Sequence, residues 1–224
     1  HNSDRRQRQM CIRDSLCVGA EPLAFVDYIA VPTPSNEAHS RIGKSLSEAC
    51  MRANVTLAGG ETATLPGIVT ELDLSGTALG WLPAGKAIAG SDIRPGDVLI
   101  GFPSSGIHSN GFSLVRKVVT KSRMSLTEPC PFSPGHESRS IEFDHGDLGS
   151  VLLNPTRIYV DPIVELLFTD MAICDRKSIH GIAHITGGGL SNLLRLSQSV
   201  QFLITDPLDP QPEFKWIASE GEVS

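Results

Sequence analysis

Five polar side chains able to bind an anion or move a proton crowd one short stretch: Ser104, Ser105, His108, Ser109 and Asn110 lie within residues 101–116, GFPSSGIHSNGFSLVR. Gly106 and Gly111 punctuate it, and glycine lets the backbone approach a ligand closely. The unperturbed pKa of an imidazole suits both proton transfer and the binding of a phosphate dianion. The stretch is predicted to handle an anion where a helix begins, because unpaired N–H groups and the positive end of the dipole meet there. Blander readings stay open on these residues alone: Ser109 or Asn110 simply caps the helix, and His108 is an incidental surface imidazole.

Other chemistry-bearing residues are more scattered. Glu61 follows Gly59-Gly60 and an apolar run, which reads as a carboxylate displayed on a tight glycine turn; the alternative is that it satisfies neighbouring backbone N–H groups. Thr186, Gly187, Gly188 and Gly189 stand between the apolar Ile179–Ile185 and the amphipathic Leu190–Leu196, a second strand–glycine–helix junction and a second candidate anion site. His180 and His184 lie four apart without a third ligand nearby, which disfavours zinc. Neither GxxxxGK[ST] nor a strand followed by GxGxxG occurs, so ordinary P-loop and dinucleotide readings fail.

Elements that must position these residues follow from periodicity. Val98–Phe102, bounded by Pro95-Gly96-Asp97, is predicted to be a buried strand, and Phe112, Val115 and Val119 recur at helical spacing. Upstream, a strand is expected over Leu23–Val31, carrying Asp27 and Tyr28, then a turn at 32–36. A helix follows from about Glu37 to Arg52 with Ala38, Ile42, Leu46, Ala49 and Ala53 on one face. Val55–Ala58 and Leu72–Trp81 read as strands. Thr127–Gly149 is rich in Pro, Ser, Gly and charge and is expected to be an exposed excursion. Asn154–Leu167 reads as helical, with Pro162 either kinking it or marking where its regular part begins. Glycines and prolines over 82–97 place a domain boundary near residue 90, giving domains over 16–90 and 91–224. Residues 1–15, dense in Arg and Gln and without hydrophobic period, look foreign, and RQMCIRDS resembles translated adapter sequence.

Composition limits the function classes. The 224 residues are 40% hydrophobic, enough for a sizeable core. A net charge of −6 with dispersed Lys and Arg argues against a nucleic-acid surface. No apolar run approaches the roughly 20 residues of a membrane helix. The five cysteines, an odd number with no Cys-x-x-Cys spacing, suit reduced thiols and a cytoplasmic setting.

Six blocks, in order, carry a resemblance: GAEPL at 19–23 with Asp27-Tyr28, GGETA at 59–63 with Pro66-Gly67, GDVLI at 96–100, SSGIHSNGFSLVR at 104–116, PTRIY at 155–159 and IAHITGGG at 182–189. Together they resemble the phosphoribosylformylglycinamidine cyclo-ligases, or aminoimidazole ribonucleotide synthetases, over about residues 16–196. The resemblance implies an α/β (α+β) fold of two domains, an N-terminal mixed-sheet domain and a partial C-terminal α+β domain. It implies ATP-dependent ring closure of a small ribonucleotide in purine biosynthesis, with ATP and Mg2+ as cofactors and a homodimeric enzyme. His108, Glu61 and Asp27 would be catalytic. Ser104, Ser105, Gly106, Ser109 and Asn110 would bind substrate or phosphate, and so would Thr186, Gly187, Gly188 and Gly189. Asp14 falls at a family metal-site Asp if residues 1–15 are native, but Arg13 replaces the neighbouring Asn. The family's N-terminal glycine-rich loop and Asp-Gly-Val-Gly-Thr-Lys motif are missing. The chain therefore reads as truncated at both ends and inactive alone. The alternatives are a formylglycinamidine ribonucleotide synthase-like or other ATP-dependent member of the superfamily, or a non-catalytic nucleotide-binding fragment.

Overall fold

The computed structural model describes residues 11–133, 146–168 and 175–222. The chain divides into two compact units, one of residues 3–97 with 158–201 and the other of 98–157 with 202–224.

The first unit is organised on a three-stranded sheet of order β2-β1-β3, where β1 is Glu21–Val31, β2 is Thr56–Thr64 and β3 is Asp73–Trp81. β1 pairs parallel with β2 and antiparallel with β3. Helix α1 occupies residues 11–17, and α2 is Asn36–Arg52. The side chain of Ser35 accepts the Ala38 N–H at the start of α2, satisfying one of the donors a helix N-terminus leaves over. The apolar face read from the sequence is the one that packs: Ile42, Leu46, Ala49 and Cys50 are buried. They join Phe25, Ile29, Val31 and Leu74 from the sheet and Ile12 and Leu16 from α1 in one core. Of the segment expected to be foreign, residues 1–10 lie outside the described residues, whereas 11–15 are helical.

Side chains alternate across the sheet. Phe25, 1% exposed, lies over Gly76 of β3: a Cβ built there would stand 2.1 Å from the Phe25 ring. Gly76→Ala is therefore expected to cost about 1–3 kcal/mol by overpacking, seen as a lower urea midpoint; an unchanged midpoint would show that the ring moves aside freely.

Helix α5, Val160–Phe168, follows in this unit. Of the two readings of Pro162, the second holds. The Ile163 N–H bonds to the Tyr159 carbonyl, placing Pro162 in the first turn, where its missing N–H has no intrahelical acceptor to lose. Residues 154–159 are not helical.

The second unit packs α3, Phe112–Ser122, against α6, Pro212–Gly221. Its core holds Ile107, Val115, Val118, Leu148, Leu152 and Ile217. Leu148 and Leu152 lie on the short α4, Leu148–Leu152, where Asp147 accepts the Ser150 N–H at 2.6 Å. The expected excursion over 127–149 thus ends in a buried turn of helix; residues 134–145 of it lie outside the described residues.

Two expectations fail. Val98–Phe102 is not a buried strand: it has no regular secondary structure, and Val98 and Ile100 are 84% and 75% exposed. Ile179–Ile185 forms no strand either, entering instead by a 3-10 turn at Arg176–Ser178. Both runs carry strand composition, but a strand needs a hydrogen-bonding neighbour, and neither has one among the described residues.

Candidate functional site

The polar stretch at 103–111 lies in the second unit, folded back on itself and gripped by two distant segments. His108 adopts φ 57, a left-handed conformation that costs a non-glycine residue about 1–2 kcal/mol. The turn brings its ring over Ser105: the Ser105 N–H donates to Nε2 at 3.0 Å, and Ser105 Oγ stands 3.1 Å from the same nitrogen. Gly106 sits between them at φ 133, where a Cβ would lie 3.2 Å from the carboxylate of the fully buried Glu213.

The first grip is the segment 154–157. Buried Asn154 donates through Nδ2 to the Ser105 carbonyl at 2.5 Å, and the Ser105 hydroxyl donates to the Pro155 carbonyl at 2.8 Å. Arg157 donates its backbone N–H towards His108 Nε2 at 3.5 Å and its guanidinium to the Pro103 carbonyl at 3.3 Å. The second grip is Gln211, which accepts from the Ser104 hydroxyl at 3.0 Å and donates to the Ser104 carbonyl at 2.5 Å. Sequence reading missed Asn154, Gln211 and Glu213. Their partners lie about 50 and 107 residues away in the chain, and no local pattern marks such pairs.

The capping reading of Ser109 and Asn110 fails. The N-cap of α3 is Gly111, at φ 79 with no side-chain capping bond. Ser109 Oγ is instead buried without a hydrogen-bond partner among the described residues, as is Thr156 Oγ1. A hydroxyl in that state is costly unless something accepts or donates to it.

Asp27 and Glu61, Asp14 and the 186–189 loop belong to the first unit. The sheet separates the two expected catalytic acids. Asp27 lies on the same face as Phe25 and Ile29, and its carboxylate covers Gly60, whereas Glu61 pairs with Tyr28 on the other face. Nor is Glu61 on a glycine turn: β2 runs straight through Gly59, Gly60 and Glu61. Glycine fits there because Asp27 occupies the space a Cβ at Gly60 would need.

In the second glycine loop, two of the expected backbone donors are already used. The Thr186 N–H donates to buried Asn192 Oδ1 at 2.9 Å, and the Gly189 N–H donates to the Thr186 carbonyl at 2.8 Å. The element that follows is a 3-10 helix, Gly189–Arg195, in place of the expected α-helix. Asn192 also fills the space beside Gly188.

His184 Nδ1 lies 3.1 Å from Asp14 Oδ1. Burial holds the His184 pKa below its ordinary value, the charge of Arg13 adds to this and Asp14 opposes it, so the contact is a hydrogen bond from a neutral imidazole. Burial lowers Arg13 itself to about 10, which leaves it charged at neutral pH. His180 pairs with Asp97 at 2.7 Å, and the two histidines do not converge on one point. Among the described residues no three His, Cys, Asp or Glu side chains are grouped to hold a metal ion.

The hydrogen bond from His180, then that from the Arg94 N–H, lowers the Asp97 pKa from 3.8. A depressed carboxyl stabilises the fold above its ordinary value and loses that contribution as pH falls through the folded pKa. The stability gap between wild type and Asp97→Asn is expected to be constant above pH 5 and to close below pH ~3.8, measured as urea midpoints across that range. A gap that does not change with pH would remove the hydrogen bonds to the Asp97 carboxylate as its source.

A model of the AIR synthase related protein N-terminal domain matches residues 8–82, and one of the C-terminal domain matches 94–222. The chain is 44% identical over 212 residues to the phosphoribosylformylglycinamidine cyclo-ligase of Methanothermobacter thermautotrophicus, covering 95% of this chain and 58% of that protein. To the protein of the same name from Methanosarcina acetivorans it is 42% identical, covering 96% and 59%. The chain thus spans less than two thirds of the length of these curated relatives. Among solved structures, a thiamine-monophosphate kinase from Stenotrophomonas maltophilia K279a aligns at a TM-score of 0.49 and 20% identity, over 74% of this chain and 47% of that one.

Proposed function

The chain belongs to the AIR synthase related family, and from that membership we propose that it is part of a cytoplasmic, ATP-dependent cyclo-ligase that closes the imidazole ring of formylglycinamidine ribonucleotide. Phosphoryl transfer from ATP turns the formyl oxygen into a leaving group, attack by the amidine-side nitrogen closes the ring, and phosphate departs. Catalysis of this kind is largely positioning and charge neutralisation, and the 103–111 loop is built for both.

The observation that carries the reading is Ser109 Oγ, buried without a hydrogen-bond partner among the described residues, just before the start of α3, where Gly111 supplies no side-chain cap. A substrate or transferred phosphate there would accept from backbone N–H groups and from Ser109, with Ser104, Ser105, Gly106 and Asn110 shaping the loop and His108 facing the reacting centre. Asp27 is proposed to act in the active site through its own face of the sheet. Glu61, on the opposite face, and the 186–189 loop are kept as proposed site residues, although the second loop offers fewer backbone donors than its glycines suggest. Magnesium is expected with ATP, but the described residues hold no cluster of three His, Cys, Asp or Glu side chains fitted to it. We further propose a homodimer through the sheet face opposite the core, where Val26, Tyr28 and Leu79 are 42%, 39% and 64% exposed. No helix among the described residues is long and apolar enough to cross a membrane.

The test is to extend the chain to the length of its relatives and follow product with ADP. One aminoimidazole ribonucleotide per ADP supports the reading. ATP hydrolysis uncoupled from ring formation favours another ATP-dependent member of the superfamily, and ATP binding without turnover favours a non-catalytic nucleotide-binding protein.

A further inference from the structure

Of the asparagines in the chain, only Asn110 is followed by glycine. An asparagine carboxamide is open to attack by the backbone nitrogen of the next residue, which closes a succinimide and makes asparagine a labile residue. Whether a fold permits this depends on three things: a free N–H, room for the ring, and a backbone not held in a helix. The loop before α3 supplies all three. The Gly111 N–H makes no hydrogen bond among the described residues, and neither does the Asn110 side chain. Gly111 is exposed, at φ 79, and a Cβ built on it would meet nothing within 4 Å, so the space beside the attacking nitrogen is open. Asn110 itself lies outside α3 and is half-buried.

The other asparagines of the described residues lack one or more of these conditions. Asn154 is 4% exposed and precedes Pro155, whose nitrogen carries no hydrogen to give up. Behind Asn54, the Val55 N–H is held by the Cys50 carbonyl at 2.9 Å and the β-branched side chain crowds the approach. Asn36 and Asn192 lie in helical turns that must break before the ring can close, and Asn192 is buried as well.

We propose that Asn110 is a self-modification site: in the folded protein the Gly111 nitrogen attacks Asn110 Cγ, and the loop acquires a carboxylate at the place where it binds phosphate. A bond forms between Gly111 N and Asn110 Cγ, and the Cγ–Nδ2 bond breaks. Nδ2 leaves as ammonia with the hydrogen given up by Gly111 N. Water then opens the succinimide at either carbonyl, giving aspartate on the original main chain or isoaspartate, whose main chain runs through Cβ. Nothing is oxidised or reduced, and water is the only co-reactant. Either product is an anion beside the start of α3, where the helix dipole attracts negative charge. The resident carboxylate takes the place of a phosphate, so ageing of this residue shuts the site. That consequence rests on the cyclo-ligase reading of the loop; the conversion itself does not.

The experiment incubates this chain, folded and in urea, at mildly alkaline pH and follows each asparagine by peptide mass spectrometry, with synthetic peptides to separate aspartate from isoaspartate. The folded chain is expected to gain the acid at Asn110 before any other asparagine of the described residues, within a few-fold of the rate in urea. Asn110→Gln, whose longer side chain closes a less favourable ring, is expected to stay an amide. Conversion in the folded chain slower than in urea by an order of magnitude or more overturns the proposal, because the fold would then protect the loop. First conversion at Asn36 or Asn54 overturns it too. Aged protein, separated by its added negative charge, and Asn110→Asp are both expected to lose the saturable shifts that inorganic phosphate causes at the amides of residues 104–113 in fresh protein. Undiminished phosphate binding by the aged form overturns the competition between carboxylate and phosphate. Failure of the cyclo-ligase reading looks different: fresh protein binds no phosphate there, while Asn110 still converts.

Discussion

His108→Ala, in the chain extended to the length of its relatives, is expected to lower the rate of ring closure by about 10²–10⁴-fold, the usual worth of a positioned proton-handling group. The fall should appear in kcat more than in KM. Substrate affinity on this account comes from the start of α3 and the hydroxyls beside it, whereas the imidazole acts where charge develops. Folding should survive, because the ring is only partly buried and alanine can hold the same left-handed backbone at a similar cost. Comparison with His108→Gln sharpens the result: a side-chain amide keeps a hydrogen-bonding group in place but cannot take up a proton, and should recover only part of the rate. Turnover at the wild-type level in His108→Ala would take His108 out of the mechanism.

The second large effect concerns stability. Phe25→Ala should destabilise the first unit by about 3–5 kcal/mol, because the ring is 1% exposed at the centre of the core that joins the sheet to α1 and α2. Its bed is Gly76, where no side chain is tolerated while the ring is present. The two sites must therefore couple: a methyl placed at Gly76 in the Phe25→Ala background should fill part of the cavity. There the sign of the Gly76→Ala effect should turn from costly to neutral or favourable. Urea unfolding of the four proteins in the cycle measures this. Simple additivity would mean that the two residues do not share the space the structure gives them.

Much of the first unit was legible from periodicity, because its elements are amphipathic and their burial is local. The face of α2 and the strands at Leu23–Val31 and Leu72–Trp81 fell close to their expected places. The failures share a cause. Gly59-Gly60 was read as a turn by composition, but the residue that requires glycine at Gly60 is Asp27, on the neighbouring strand. Val98–Phe102 has the apolarity of a buried strand, and apolarity cannot show whether a hydrogen-bonding neighbour is at hand.

The site shows the same division. The polar stretch around His108 announced itself by residue type. Ser109 and Asn110 looked like helix caps because such residues usually are, yet Gly111 takes that position and Ser109 turns inward. The groups that make the loop more than a cluster of polar residues, Asn154 and Gln211, act across sequence separations of 49 and 107. Asn192 does the same for the second glycine loop over a short range, and an asparagine on the buried side of an amphipathic run was the available sign of it.

The central claim is that the loop before α3 receives the phosphate of the substrate or the transferred phosphoryl group. It is tested most directly by titrating the ribonucleotide substrate, without ATP, into the 15N-labelled protein extended to the length of its relatives and following backbone amides. The account predicts saturable shifts concentrated at residues 104–113, reproduced more weakly by inorganic phosphate and abolished by charge-bearing Ser109→Asp. Saturable binding that leaves those amides unmoved and shifts residues 186–189 instead would contradict it.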